Sequence, residues 1–294
     1  MWSVEFGVWS VKFIKRSIVV FVLLFVFLLA SCGADADSII VAGSTSVQPY
    51  AEVLAEAYRV LYPGREVEIQ GGGSSAGISS VHSGIAEIGM SSRYIKDAET
   101  ETFVGEGREL FVYEIAKDGL AIIVNPDNPV RDLSLEQVRA IYAAEITNWN
   151  QVGGRDAKIH VIAREEGSGT RDAFSQLVMG ESSITPRAIV QDSNGAVRLL
   201  VSDDKNSIGF ISLGLVRAEP GQKEVEALSL DGVAASFENI ENGTYRLYRP
   251  FLFVAATEGG KEPEGFTKQF IDFTLSEEGQ KILAAEGLIP KTRD

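Results

Sequence analysis

Three times along this chain, a strand-like apolar run passes through a Gly/Ser/Thr-rich junction into a run with helical apolar spacing. The first passage is Ser38-Ile39-Ile40-Val41-Ala42, then Gly43-Ser44-Thr45-Ser46, then Val47, Tyr50, Leu54, Ala57, Tyr58 and Leu61 at intervals of three and four. The second runs from Val67-Glu68-Ile69-Gln70 through Gly71-Gly72-Gly73-Ser74-Ser75-Ala76-Gly77 to Ile78, Val81 and Ile85. The third runs from Lys158–Ala163 through Arg164-Glu165-Glu166-Gly167-Ser168-Gly169-Thr170 into Arg171–Met179, with Phe174, Leu177 and Val178 on one face. Regular alternation of this kind predicts an α/β architecture with central, mostly parallel sheet flanked by helices.

The junctions share a chemistry. The first amides of a helix lack intrahelical partners and lie at the positive end of the dipole. Glycine lets the backbone approach a ligand, and hydroxyls add donors. Arg164 contributes a planar fork suited to a tetrahedral oxyanion. Together these parts describe an anion cradle. A plain strand-to-helix turn with a capping hydroxyl uses the same residues, so a single junction leaves both readings open. The Gly-rich run at 71–77 lacks the Gly-Lys-Ser/Thr ending of a P-loop, which argues against nucleotide. A short strand, Ile85–Met90, ends at Ser91-Ser92-Arg93, and Arg93 is a second candidate cation.

Charge narrows the function. The net charge is −14; residues 1–32 hold Lys12, Lys15, Arg16 and Glu5, a net of +2, which leaves −16 for the rest. That balance excludes general nucleic-acid binding, which needs a basic surface. It also means that an anion site must work through local, oriented donors. Lys12, Lys15 and Arg16 precede a 13-residue apolar run, Ile18–Ala30, long enough for a signal-peptide core and short for a membrane span. Leu29-Ala30-Ser31-Cys32-Gly33 then resembles a bacterial lipobox, which implies cleavage before Cys32 and lipidation of that residue. Residues 1–32 are thus the expected signal peptide, and 33–38 a polar tether. Cys32 is the single cysteine, which rules out disulfides and cysteine-based metal sites in the mature body. Acidic residues do not cluster at ligand spacing, so no metal and no cofactor are expected.

Further along, Gly119–Val124 reads as a strand closed by Asn125-Pro126-Asp127-Asn128-Pro129, and Ser134-Leu135-Glu136-Gln137 has capping-box form. Asp192-Ser193-Asn194-Gly195 opens another helix, where Asn194 could lie near the ligand or, more commonly, serve as a cap. Residues 217–243 read as a peripheral excursion, Tyr245–Ala255 as a strand limited by Pro250, and two helices close the chain.

Taken in order, Gly43–Pro49, Gly71–Gly77, Ile88–Arg93, Arg164–Thr170 and the ending Ser276–Gln280 through Gly287–Pro290 resemble the phosphate-binding component of bacterial Pst ABC transporters, within the periplasmic-binding-protein superfamily. The resemblance spans about Ile39 to Pro290. It implies a two-lobed fold joined by two crossing segments, with residues 39–117 plus 247–294 in lobe one and 118–246 in lobe two. It implies that Thr45, Ser46 and Ser74 donate to phosphate from lobe one, and Arg164, Ser168, Gly169 and Thr170 from lobe two. Glu166 falls where the family has a carboxylate able to accept the phosphate's own proton. That proton would set phosphate apart from sulfate, because an acceptor facing bare oxygens costs roughly 1–3 kcal/mol or more. The better-known branch has an acidic acceptor where this chain has Ser92, and Ser91-Ser92-Arg93 resembles another branch, with Ser92 and Arg93 added to the expected site.

The implied role is extracytoplasmic capture of inorganic phosphate, by a monomer anchored to the membrane through Cys32, and delivery to an ABC permease. Two rivals remain. One is a binding protein for another oxyanion such as sulfate, molybdate or tungstate. The other is a serine hydrolase, because Gly73-Ser74-Ser75-Ala76-Gly77 satisfies the G-x-S-x-G pattern with Ser75 as nucleophile. His160 is the one histidine placed late enough to serve it, inside a strand pattern.

Overall fold

The computed structural model describes residues 37–217, 221 and 223–291. The expected signal segment, Cys32 and residues 33–36 of the tether lie outside these. The described chain begins with β1 (Asp37–Gly43), α1 (Gln48–Leu61), β2 (Arg65–Gly71), α2 (Ser74–His82), β3 (Ile88–Ser91), α3 (Asp97–Gly105) and β4 (Arg108–Val124). Next come β5 (Asp132–Leu133), α4 (Leu135–Tyr142), β6 (His160–Arg164), α5 (Gly169–Phe174), β7 (Ile189–Gln191), α6 (Asn194–Asp203) and β8 (Ser207–Ser212). It closes with β9 (Glu226–Ala227), β10 (Ser229–Leu230), α7 (Phe237–Glu241), β11 (Tyr248–Glu258), α8 (Gly265–Leu275), α9 (Glu277–Ala285) and β12 (Ile289–Pro290).

Among the described residues, ten strands join in one mixed sheet, in the order β2-β1-β3-β11-β4-β8-β6-β7, with β12 and β9 added on β4. The sheet is parallel towards its ends, where β1 pairs with β3 and β6 with β8 and β7. Its centre is the antiparallel ladder of β4 and β11, in register from Tyr248 opposite Gly119 to Glu258 opposite Arg108. β4 is 17 residues long. Such a strand, rising about 3.3 Å per residue, is long enough to serve two cores.

Two hydrophobic cores flank this ladder. One gathers Val41, Tyr50, Leu54, Ile88, Phe253 and Phe270 from the chain before Lys117 and after Arg249. The other gathers Ile122, Tyr142, Trp149, Phe174, Val197 and Phe210 from between those points. Tyr58 centres an aromatic group in the first, 5.6 Å from Phe266 and 5.5 Å from Phe270. In the second, Phe174 stacks on Phe210 at 4.1 Å and meets Tyr142 at 4.5 Å. Aromatic packing of this kind supplies more than area alone.

Local sequence explains most element starts. Gln137 N donates to Ser134 Oγ (3.1 Å) and Ser134 N to Gln137 Oε1 (2.8 Å), the reciprocal pair expected of that motif. Ser193, not Asn194, caps α6, its Oγ accepting from Ala196 N at 3.2 Å. The excursion at 217–243 is less peripheral than its composition predicts. There β9 pairs with β4, β10 pairs with β5, and Leu228 is fully buried. Pro250 is accommodated because β3 pairs β11 only over Leu252–Val254, so its missing N–H takes nothing from that ladder. The strand expected at Gly119–Val124 is the end of β4, which begins at Arg108. Among the described residues, no helix is long and apolar enough to cross a membrane.

Phe174 fastens the short helix α5 to the second core. Phe174→Ala is expected to cost about 3–5 kcal/mol of unfolding free energy, read from urea unfolding. An exposed control on α6, Leu199→Ala, should change it by less than about 0.5 kcal/mol.

Candidate anion-binding site

The Gly/Ser/Thr junctions of the sequence meet where the two cores meet. Ser44–Ser46 form the turn before α1, in which Val47 N and Gln48 N both donate to Ser44 O. Gly73, at φ +92°, directs its N–H to Gly43 O (2.9 Å) and sets Ser74 at the start of α2. Ser92 follows β3. Across from these, Ser168 caps α5, its Oγ accepting from Arg171 N at 3.3 Å, and Gly169 and Thr170 begin the helix. Ser75 N donates to Gly167 O (3.1 Å), tying the second junction to the Arg164 loop.

Hydroxyls from separate segments touch directly. Ser46 Oγ lies 2.8 Å from Thr170 Oγ1 and accepts from Asn194 Nδ2 at 2.8 Å and Arg249 Nη2 at 3.1 Å. A hydroxyl accepts two bonds and donates one. Ser46 therefore gives its proton to Thr170, which leaves the Thr170 proton free for another acceptor. Ser92 Oγ accepts from Ser44 Oγ (2.9 Å), and Ser92 N donates to Ser74 Oγ (3.0 Å). Gly169 abuts this pair, since a Cβ there would collide with the Ser74 and Ser92 hydroxyls. Ser46, Ser74, Ser92, Ser168 and Thr170 are all buried.

Two guanidiniums enter the cluster. Arg164 is 1% exposed. Its Nε and Nη2 donate to Glu165 (2.8 and 2.9 Å), and Nη2 also reaches Thr45 Oγ1 and Asp192 O, both at 3.1 Å. Its Nη1 is buried and has no hydrogen-bond partner among the described residues. The second is Arg249, from β11. It donates through Nε and Nη2 to Asp118 Oδ2 at 3.2 and 3.0 Å, while Ser212 Oγ donates to Asp118 Oδ1 at 2.8 Å. Burial drives the Asp118 carboxyl above its ordinary value, against the opposing pull of Arg249 and Ser212. Burial likewise lowers Arg249, which also feels the charge of Arg164.

Of the expected residues, the structure brings together Thr45, Ser46, Ser74, Ser92, Arg164, Ser168, Gly169 and Thr170. It does not bring Glu166 to them. Glu166 is exposed, because Glu165 takes the Arg164 fork and the next residue in the loop faces solvent. Arg93 is engaged beside the cluster instead. Its Nη atoms are spent on Glu99 (2.7 and 2.9 Å), Ser75 Oγ (3.0 Å) and Tyr94 O (2.9 Å). Its Nε contacts Asp172 Oδ2 at 2.7 Å, as an ion pair rather than an aligned hydrogen bond. Arg93 thus clamps the β3 side to α5 beside the cluster. Of the two roles open for Asn194, the structure places it beside the cluster: it donates to Ser46 and accepts from Ser212 N at 3.3 Å. Arg249 and Asp118 carry no local sequence signal, since their meeting depends on pairing across the β4–β11 ladder. His160 bonds Asp204 through Nδ1 at 2.5 Å, while Ser75 Oγ faces Arg93.

A buried cluster of neutral donors, with a guanidinium nitrogen left over, fits a guest that offers several acceptor oxygens. A tetrahedral oxyanion is such a guest.

Comparison with known proteins agrees with that chemistry. Residues 30–278 match the PBP superfamily domain. The chain is 31% identical over 256 residues to the phosphate-binding protein PstS of Bacillus subtilis, covering 87% of this chain and 81% of that one. A putative phosphate ABC transporter substrate-binding protein from Clostridium perfringens, solved with bound phosphate, is 43% identical with a TM-score of 0.79 over 87% of this chain and all of its own. An ABC-type phosphate transport receptor from Vibrio cholerae is 40% identical with a TM-score of 0.68, over 86% of this chain and all of its own.

The clamp beside the site titrates. Burial alone would raise the Glu99 carboxyl, but the Arg93 guanidinium and Lys96 N–H outweigh it and hold the group below its ordinary value. A depressed carboxylate stabilises the fold above its unfolded pKa, about 4.3, and that stability is lost as pH falls through the lower folded value. Glu99→Gln is therefore expected to lower the melting temperature at pH 7 and to flatten its fall below about pH 4.3, measured by thermal scans across pH.

Proposed function

The chain belongs to the PBP superfamily and, within it, to the PstS phosphate-binding proteins, and we propose that it captures inorganic phosphate outside the cytoplasm and delivers it to an ABC import permease. The observation that carries the reading is the unpartnered Nη1 of buried Arg164 among buried hydroxyls. A buried charged donor without an acceptor is costly, and a phosphate oxygen would satisfy it. Thr45, Ser46, Ser74, Ser92, Ser168, Gly169 and Thr170 are the proposed neutral contacts around it.

Residues 39–117 with 247–294 form one proposed lobe and 118–246 the other, a reading supported by the division of buried side chains into two cores, although Leu247 packs in the second. Closure of the two would complete the donor set and exclude water. The role is one of binding without chemistry. Ser75, the alternative nucleophile, receives a hydrogen bond from Arg93 at 3.0 Å, and His160 is engaged by Asp204. The lipobox at Leu29–Gly33 supports a tether to the membrane through Cys32, and the protein is read as a monomer. The acidic net charge supports no nucleic-acid partner.

Isothermal titration tests this directly. Phosphate should bind the purified protein more tightly than sulfate, molybdate or tungstate do, and tighter binding of one of those would reassign the ligand. Losing a charged donor is worth roughly 1.5–3 kcal/mol per bond, so Arg164→Gln should weaken phosphate by about 10- to 150-fold or more. Exposed Glu166 should matter little, with Glu166→Gln changing affinity less than about fivefold.

A further inference from the structure

We propose that Arg249 is a second guanidinium ligand of the bound oxyanion, and that Asp118 is the residue that positions it. The inference rests on the phosphate-binding reading above and adds a residue from the central ladder to the site.

The first argument is where the Arg249 nitrogens go. Nη2 reaches Ser46 Oγ at 3.1 Å and Nη1 reaches Ser92 Oγ at 3.4 Å, the hydroxyls that also meet Thr170 and Ser74. Arg249 therefore faces the same cluster as Arg164, from the strand between the two sets of junctions. The second is its unused capacity. Nε and Nη2 are engaged by Asp118, whereas Nη1 has that one long contact for its two N–H groups. An anion oxygen is the natural acceptor for the remainder.

The third is charge. Arg164 and Arg249 are both buried and close enough for the charge of one to weaken proton binding by the other. Each has its own carboxylate, Glu165 and Asp118. An oxyanion in the cluster would bring further negative charge to both guanidiniums and offset the repulsion between them. The fourth is rigidity. Asp118 is fully buried, opposite Arg249 in the ladder, and held by Ser212. The Arg249 guanidinium also lies 5.5 Å over the Phe251 ring. The fork is thus fixed before any ligand arrives, which reduces the ordering cost of binding.

The competing account is an ion pair that serves the fold alone. Phosphate titrations of wild type, Arg249→Gln, Arg249→Lys and Asp118→Asn, each paired with urea unfolding, separate the two. Arg249→Gln should bind phosphate about 10- to 150-fold more weakly. Arg249→Lys should recover part of that loss, because it restores a charged donor without the fork. Asp118→Asn should weaken binding by a smaller factor, and adding it to Arg249→Gln should bring no further loss. Folded Arg249→Gln within about threefold of wild type would overturn the inference. If that variant does not fold, a crystal structure of wild type with phosphate decides. An Arg249 Nη within about 3.2 Å of a phosphate oxygen upholds the assignment, and a separation beyond about 4 Å overturns it. Wild type that fails to bind phosphate sinks the phosphate reading instead, and the same titrations with sulfate and molybdate then put the Arg249 question to whichever anion binds. If none binds, both ideas fall.

Discussion

A guanidinium removed from water must be surrounded by acceptors, and this requirement organises the centre of the molecule. Arg164 and Arg249 are at most 2% exposed. Unpaired burial of such a charge would cost several kcal/mol. The chain answers with a carboxylate for each, then with hydroxyls and carbonyls from segments far apart in sequence. Ser46 lies 203 positions from Arg249, and Thr45 lies 119 from Arg164. The two cores can therefore pack as they do only with the polar cluster assembled between them. The cluster is part of what closes the structure as well as what recognises a guest.

The ladder of β4 and β11 makes that assembly possible. Its two strands run from one core into the other, and the change of core falls at the paired residues Asp118 and Arg249. Placing the ion pair there puts a rigid polar element where the chain crosses between cores, while the flanking stretches Leu120–Val124 and Phe251–Ala255 carry buried apolar side chains. The bulge between Phe251 and Leu252 shifts the register next to this point. Bulges bend a strand and re-aim its side chains, which suits a strand that must serve a core on one side and the polar cluster on the other.

How much of this was legible in the sequence depends on the range of the interaction. The junctions at Gly43–Ser46, Gly71–Ser74 and Arg164–Thr170 could be read because strand period, Gly/Ser content and helix period are all local. Their convergence was not derivable from spacing; it came from a family resemblance across the whole set. Arg249 could not be found this way, since a lone Arg before Pro250 carries no motif and its meaning comes from Asp118, 131 residues away. Glu165 and Glu166 show a finer limit. Composition places two carboxylates beside Arg164, but backbone direction in the loop decides which one turns inward. Arg93 fails for a similar reason: the sequence shows a cation after a Ser pair, while Glu99 and Asp172, on two different helices, determine where it points.

This division has a consequence for selectivity. The carboxylates near the cluster, Asp118 and Glu165, are each bound to a guanidinium, and Glu166 faces solvent. Recognition of a protonated oxyanion therefore cannot rest on an unoccupied carboxylate in the manner expected for Glu166. The remaining acceptors are hydroxyl oxygens, each able to donate or accept by rotation. Such groups tolerate a bare oxygen at little cost, because turning the O–H restores a donor. Discrimination by hydroxyls should therefore be gentler than discrimination by a fixed negative charge, where repulsion has no rotational escape. With −16 on residues 33–294, long-range attraction contributes nothing favourable for an anion. The affinity has to come from the number and fixed aim of short-range donors, and the buried Arg–carboxylate pairs are what hold that aim.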